Sequence, residues 1–451
     1  MQGIGLAILC LLSDVIGKPL FIMDTTSKLS TPSFNEALKF WFKLGWISFG
    51  GTAGHIAIMH EHLVEQKKWI SHHKFLHALN HCMILPGPEA QQLAIYTGWL
   101  MHGKRGGIAA GMLFVLPSMF ILLGLSILYV LYGNIPWVTA MFNGLKPAVI
   151  AIILLAMFKI ARKSLHTPVH YLLAAIAFIG IFFLHLPFLS IIAGTLIFAL
   201  VAHWAWPSLL PTGSEIAEEE PSPATRSNFQ LKPFLQLLGA GIVLWLLPFL
   251  LFCLLGDFSF WKSLGLFFTQ TAFVTIGGSY TVLPYVAQFT VTKLNWLTRL
   301  QMLDGFALAE TTPGPLIIVL SFVGFMAGYN HFGGSLWMGT IGLLATTYFT
   351  FLPCFLLIFA GAPLIEKTQG HPAIAGALGL VTAAVVGVIL NLTLYLGKDV
   401  LLPQGLGISH PDWWAAAWVI ISLILLQRYR TNILFLVGLS ILFGLLHHLL
   451  L

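Results

Sequence analysis

Long apolar runs separated by short polar connections dominate this chain. Runs at 106–132, 139–158, 374–396 and 431–446 are of the order of the twenty residues that cross a roughly 30 Å hydrocarbon core as a helix. They are apolar on every side and lack strict alternation, which favours membrane helices over an outer-membrane barrel. The pattern predicts an all-α polytopic membrane protein with about thirteen transmembrane helices, centred near 48, 88, 120, 150, 177, 197, 244, 274, 314, 348, 385, 420 and 440. The fifth and sixth are short and divided at Pro187.

Residues 207–231 interrupt the pattern with Pro207, Pro211, Pro221 and Pro223 and the acidic group Glu215, Glu218, Glu219 and Glu220. This reads as a polar cytoplasmic linker. It divides the chain into an N-terminal extension (1–35), a first repeat (36–206) and a second (232–451). The extension lacks the basic start and cleavage site of a signal peptide, and Met23 is an alternative start.

Composition agrees with a membrane location: 58% of residues are hydrophobic, 8% are charged and the mean hydropathy is +0.89. The net charge of +6 does not indicate nucleic acid, because Lys and Arg sit singly or in pairs at helix ends. Cys10, Cys82, Cys253 and Cys354 are far apart in apolar stretches, so neither a disulfide framework nor a metal site is expected of them.

If every predicted helix crosses, Lys67, Lys68, Lys74, Lys262 and Lys398 fall on one side. The other side then holds Lys18, Lys28, Lys104, Arg105, Lys159, Arg162, Lys163, Arg226, Lys232, Lys293, Arg299, Lys367, Arg428 and Arg430. By the positive-inside rule the richer side is cytoplasmic, which places the N-terminus inside and the C-terminus outside.

The halves repeat. Ser48-Phe49-Gly50-Gly51-Thr52 is answered 227 residues on by Thr275-Ile276-Gly277-Gly278-Ser279. At the same offset Trp69 meets Trp296, and Pro86-Gly87-Pro88 meets Pro313-Gly314-Pro315. The thirteen-helix count puts seven crossings between Gly50 and Gly277, an odd number, so the repeats are inverted. Inverted repeats around a central site are characteristic of secondary transporters.

Pro-Gly-Pro inside an apolar run removes backbone donors and forbids helix before each proline. Such a break survives at membrane depth only where protein packs it or a wet cavity meets it. The half-helices that follow would offer free N–H groups and positive dipole ends to an anion. Gly50, Gly51, Gly277 and Gly278 allow close backbone approach, and Ser48, Thr52, Thr275 and Ser279 supply hydroxyls. Tight helix packing explains the same residues without a ligand.

The intramembrane charges are Lys39, Lys43, Glu89, Lys146, Asp304 and Glu310, each a functional candidate because burial of charge in lipid is costly. Glu89 follows the first Pro-Gly-Pro and Glu310 precedes the second. They either couple transport to protons, taking one up on one face and releasing it on the other, or cap half-helices. Lys39 and Lys43 attract anions to the mouth or snorkel to the interface. His73, His77 and His81 recur at helical spacing, but no neighbouring ligands complete a metal set. No phosphate loop or nucleophile motif suggests ATP drive or soluble-type catalysis.

With Phe49-Gly50-Gly51, Trp69, Leu85-Pro86-Gly87-Pro88-Glu89-Ala90-Gln91-Gln92, Gly277-Gly278 and Ala309-Glu310-Thr311-Thr312-Pro313-Gly314-Pro315, the chain resembles the chromate ion transporter (CHR) family in its long two-domain form. The resemblance runs from about residue 36 to about 450. It implies a carrier in a bacterial inner membrane that expels chromate and confers chromate resistance. A substrate site would then comprise Ser48, Gly50, Gly51, Thr52, Pro86, Gly87, Pro88, Gln91, Gln92, Thr275, Gly277, Gly278, Ser279, Thr311, Thr312, Pro313, Gly314 and Pro315. Glu89 and Glu310 would couple, Lys39 and Lys43 would line the mouth, and neither a cofactor nor a metal is required.

A membrane potential of about 100 mV favours exit of a dianion by about 4.6 kcal/mol. Sulfate or molybdate are alternative substrates of the same shape. A passive channel, and an intramembrane enzyme acting on a lipid-linked substrate, remain as rival classes. A homodimer is left open.

Overall fold

The computed structural model describes residues 32–49, 51–205, 231–276, 278–365, 372–403 and 411–450, and among these it is helical with no strand. Gly50, Gly277, nearly all of the N-terminal extension and the linker, and Lys18, Lys28, Arg226 and Lys367 lie outside the described residues.

Helix α1 (Phe34–Ile47) starts on a capping box: Glu36 N–H donates to the Ser33 hydroxyl at 3.3 Å, and Ser33 N–H to the Glu36 carboxylate at 2.9 Å. After the break that follows Ile47, α2 (Gly51–His60) runs into a π-helix at Glu61–Gln66. This segment turns back. Phe40 of α1 stacks on His62 at 4.2 Å and meets Trp69 edge-on at 6.1 Å, whereas a straight helix would hold Phe40 and His62 about 33 Å apart.

Helices α3 (His72–Ile84) and α4 (Glu89–Tyr132) form a second hairpin around Pro86-Gly87-Pro88, with the His81 and Tyr96 rings 5.1 Å apart. Within α4 the chain reverses again at His102–Gly103, where the backbone leaves helical geometry. Gly98 then packs so closely that a Cβ there would lie 2.6 Å from both Gly106 O and Ala110 Cβ. Only the C-terminal arm of α4 goes on to traverse the bundle.

The second repeat copies this design. Helix α9 (Phe258–Val274) leads to a break, a 3-10 turn (Ser279–Thr281), α10 (Leu283–Gln288) and a π-helix (Phe289–Lys293). Phe267 stacks on Phe289 at 5.1 Å and meets Trp296 edge-on at 5.7 Å. Each of these residues stands 227 positions after its counterpart in the Phe40, His62 and Trp69 cluster. Ser71 and Thr298 cap α3 and α11 (Arg299–Thr311) in the same register. Helix α12 (Val319–His331) completes the fourth hairpin, closed where Asn330 Nδ2 donates to Trp296 O at 2.8 Å.

The remaining helices are α5 (Pro136–Ser164), α6 (Pro168–Phe182), α7 (Phe188–Ala205), α8 (Leu231–Phe252), α13 (Leu336–Ile365), α14 (Pro372–Leu401), α15 (Trp413–Gln427) and α16 (Ile433–Leu450). Among the described residues six helices are long and apolar enough to cross a membrane. The stretch Phe234–Phe252 is only 6% buried inside the protein, as a lipid-facing span should be.

The expected thirteen crossings are therefore corrected: the segments centred near 48, 88, 274 and 314 fold back at their breaks. The C-terminal arm of α4 and helices α5 to α8 lie between the two sets of hairpins. Five helical arms replace the seven expected between the breaks, an odd number as before, as inverted repeats require.

The hairpins also reassign the charges. We call the face where α1 begins proximal. His102 lies 5.5 Å from Phe34, and Trp69 packs on Phe40, so Lys67, Lys68 and Lys74 share the proximal face with Lys104 and Arg105. Arg299 pairs with Asp399 at 2.9 Å, which moves Arg299 and nearby Lys293 to the distal face beside Lys398. Over the described residues the hairpins divide these charges eleven against four in favour of the proximal face, where continuous spans divide the same residues ten against five.

Candidate functional site

All four broken tips converge, and each Pro-Gly-Pro tip is bonded to the Gly-Gly break of the other repeat. Gly87 N–H donates to Thr275 O at 2.6 Å, and Gly314 N–H donates to Ser48 O at 2.7 Å. The two bonds are equivalent at the 227-residue offset. Gly87 and Gly314 have φ of 127° and 103°, a region that side chains rarely adopt.

Space enforces the same choice. A Cβ on Gly314 would collide with Ser118, whose own Cβ would be 2.9 Å away. On Gly87 it would meet Gln92 Nε2 at 2.6 Å and Cys354 Sγ at 3.1 Å. Pro117-Ser118 of α4 and Pro353-Cys354 of α13 are thus counterparts, each pressed against the tip from the opposite repeat. Sequence comparison at a fixed offset misses them, because nine extra residues separate the pairs in the second half. A gapped self-alignment through the repeated Leu-Pro-polar triplets would find them.

These contacts revise the expectation of free donors. The single N–H in each Pro-Gly-Pro is already bonded across the repeats, and the prolines have none. Ser48 and Thr275 hydroxyls donate to Leu44 O at 2.5 Å and Thr271 O at 2.8 Å. Thr311 and Thr312 donate to Leu308 O and Ala309 O, and Gln92 Nε2 donates to Pro86 O at 2.6 Å. Gln91 differs: it is fully buried, and its amide nitrogen and oxygen both lack a hydrogen-bond partner, a costly state in a packed interior.

The carboxylates reach the tips from different directions. Glu89 is the first residue of α4, and its Oε1 would lie 3.8 Å from a Cβ on Gly278 of the other repeat. Glu310 sits in the last turn of α11, where its Oε1 accepts a hydrogen bond from Tyr280 at 3.1 Å. Glu89 thus stands at a helix N-terminus and Glu310 at a helix C-terminus. No motif in the sequence marks Tyr280 or His55, whose Nε2 lies 2.9 Å from the Ser48 carbonyl that also receives Gly314.

Lys39 and Lys43 occupy the exposed side of α1. His81 is buried beside Tyr96, and among the described residues no three His, Cys, Asp or Glu side chains gather as metal ligands would.

Inverted repeats whose broken hairpins meet inside a polytopic bundle are a pattern shared by many membrane transporters. The family model described as chromate transporter matches residues 36–202 and 262–445. The chain belongs to the chromate transporter family. It is 29% identical to the chromate transport protein of Cupriavidus metallidurans, over 83% of this chain and 86% of that protein. Identity to the chromate transport protein of Pseudomonas aeruginosa is 30%, over 84% and 86%. An uncharacterised transporter of Methanocaldococcus jannaschii is 25% identical over 93% of this chain and 96% of its own length. No solved structure matches the chain.

Proposed function

We propose that this protein carries chromate out of the cell by alternating access around the four tips, with the proximal face cytoplasmic in a bacterial inner membrane and resistance to chromate as the outcome. The observation that carries this reading is the reciprocal pair of bonds, Gly87 to Thr275 and Gly314 to Ser48, in a chain of this family. Two equivalent, oppositely oriented joints can exchange states when one repeat rocks against the other.

The substrate donors are those still open at the tips. The Gln91 amide is buried and unpartnered. Thr52 and Ser279 lie just after the breaks, at the starts of their helical turns, where no preceding helical carbonyl competes for the hydroxyl. First-turn amides of α2 and α4 add positive dipole ends. Glu89 and Glu310 are the coupling carboxylates of the tips, and Lys39 and Lys43 draw anions to the proximal mouth.

Proteoliposomes with voltage and pH gradients imposed separately test this. Wild-type protein is expected to show saturable, counterflow-stimulated chromate flux that an inside-negative potential drives outward, with sulfate and molybdate competing weakly. Glu310→Gln should cut the pH-driven component by about tenfold or more, the worth of one charge-assisted bond, and leave the voltage-driven component. Unchanged pH-driven flux would remove Glu310 from coupling, and non-saturable flux would replace the carrier with a channel.

A further inference from the structure

Away from the tips, one buried polar cluster joins the repeats. Lys146 of α5 faces Asp304 of α11 with Nζ and Oδ1 3.6 Å apart and side chains only 13% and 7% exposed. Tyr129 of α4 donates to Asp304 Oδ2 at 2.9 Å, and Lys146 Nζ donates to Asn143 Oδ1 at 3.0 Å. Lys146 and Tyr129 are the charged and titratable groups that act on Asp304 from the packed elements. Tyr129, Asn143 and Lys146 belong to the first repeat, Asp304 to the second.

The fit is loose where a structural ion pair should be tight. A separation of 3.6 Å exceeds hydrogen-bond length, and Asp304 Oδ1 is buried with no hydrogen-bond partner. A buried pair offsets its desolvation only when geometry is good and every oxygen is satisfied. Here the ammonium is only half engaged, and the carboxylate keeps one oxygen bare. Asp304 presents to Lys146 and Tyr129 the same two-oxygen edge that a tetrahedral oxyanion would.

We propose that Lys146 and Tyr129 form a second anion-binding station, and that Asp304 stands in for the transported oxyanion while the station is empty. A dianion enters as a proton from water adds to the bare Asp304 oxygen; the neutral acid releases Lys146, and the anion takes its place. This deepens the oxyanion reading, on which it rests, by giving the substrate a cation. Asp304 precedes Pro313 by nine residues, about 13 Å along a helix, so the station lies apart from the tips toward the distal face. It also links anion and proton binding with positive sign: affinity rises as pH falls.

The test is thermal stabilisation of the purified full-length protein by sodium sulfate, whose charge is constant between pH 6 and 8, with sodium chloride at matched ionic strength as the control. Wild-type protein should need less sulfate at pH 6 than at pH 8. Asp304→Asn should bind at least about tenfold more tightly at pH 8 and lose the pH dependence. Lys146→Met should lose the pH-dependent response, and Lys146→Arg should keep it. Because Lys146→Met strands a buried carboxylate, Lys146→Met/Asp304→Leu removes both charges, and it should fold, lose the tight pH-dependent sulfate response and keep only the weak response of the tips. A wild-type-like response from that double variant, pH dependence retained in Asp304→Asn, or no stabilisation of the wild type overturns the station. Binding is read without flux, so a protein that passes here and shows no chromate flux in proteoliposomes refutes the transport reading instead.

Discussion

Gly314→Ala is expected to abolish chromate transport and to lower the yield of folded protein sharply. The new methyl group requires a backbone conformation at φ 103° that costs about 1–3 kcal/mol. It also collides with Ser118, and overpacking of this kind costs about 1–3 kcal/mol more. The cross-repeat bond from Gly314 N–H to Ser48 O cannot survive a shift that relieves both.

Gly314→Ala/Ser118→Gly removes the collision and leaves the φ strain, so part of the stability should return. Gly87→Ala should behave like Gly314→Ala through Gln92 and Cys354. Gly124→Ala is the control, because a Cβ there meets nothing within 4 Å and alanine favours helix. Melting temperature and chromate flux, measured together, check the series. Equal behaviour of Gly314→Ala and Gly124→Ala would mean that the tips do not pack as described.

The second large effect is an all-or-none change in which side of the membrane a residue is labelled from. Cysteines introduced at Lys68 and Arg105 should react with an impermeant maleimide from one side, and those at Asn295 and Lys398 from the other. The native thiols interfere little, since Cys82 and Cys354 are buried, but exposed Cys253 must first be replaced, as must Cys10. Continuous spans predict the opposite: Lys68 would part company with Arg105, and Asn295 with Lys398. Labelling of Lys68→Cys and Arg105→Cys from opposite sides would refute the hairpins. Reaction of the proximal pair from the cytoplasm alone would support the orientation we propose.

Much of this architecture was legible in the residues, because apolar length and the 227-residue repeat are local properties. Odd spacing between the repeats holds whether five or seven crossings intervene, so the inversion survived the error in the count. The error had one cause. A helix that enters the membrane and a helix that leaves it have the same composition, and only Phe40 against His62 and Phe267 against Phe289 show that the chain came back.

At the candidate site the sequence marked the four breaks but not which tip amides and hydroxyls are bonded within the protein. Pro-Gly-Pro announces a break, but where the Gly87 and Gly314 amides go depends on a partner almost two hundred or more residues away. The sequence also named Lys146 and Asp304 as intramembrane charges without joining them, since their pairing crosses from one repeat to the other.

The sequence by itself determined the membrane class, the duplication, the inversion and the positions of the four breaks, because hydropathy, proline and glycine act on the backbone where they stand. Tertiary structure alone decided that the broken segments fold back, which carbonyl each tip amide meets, and which buried charges face each other. Those choices depend on distances across the bundle, and no local preference encodes them.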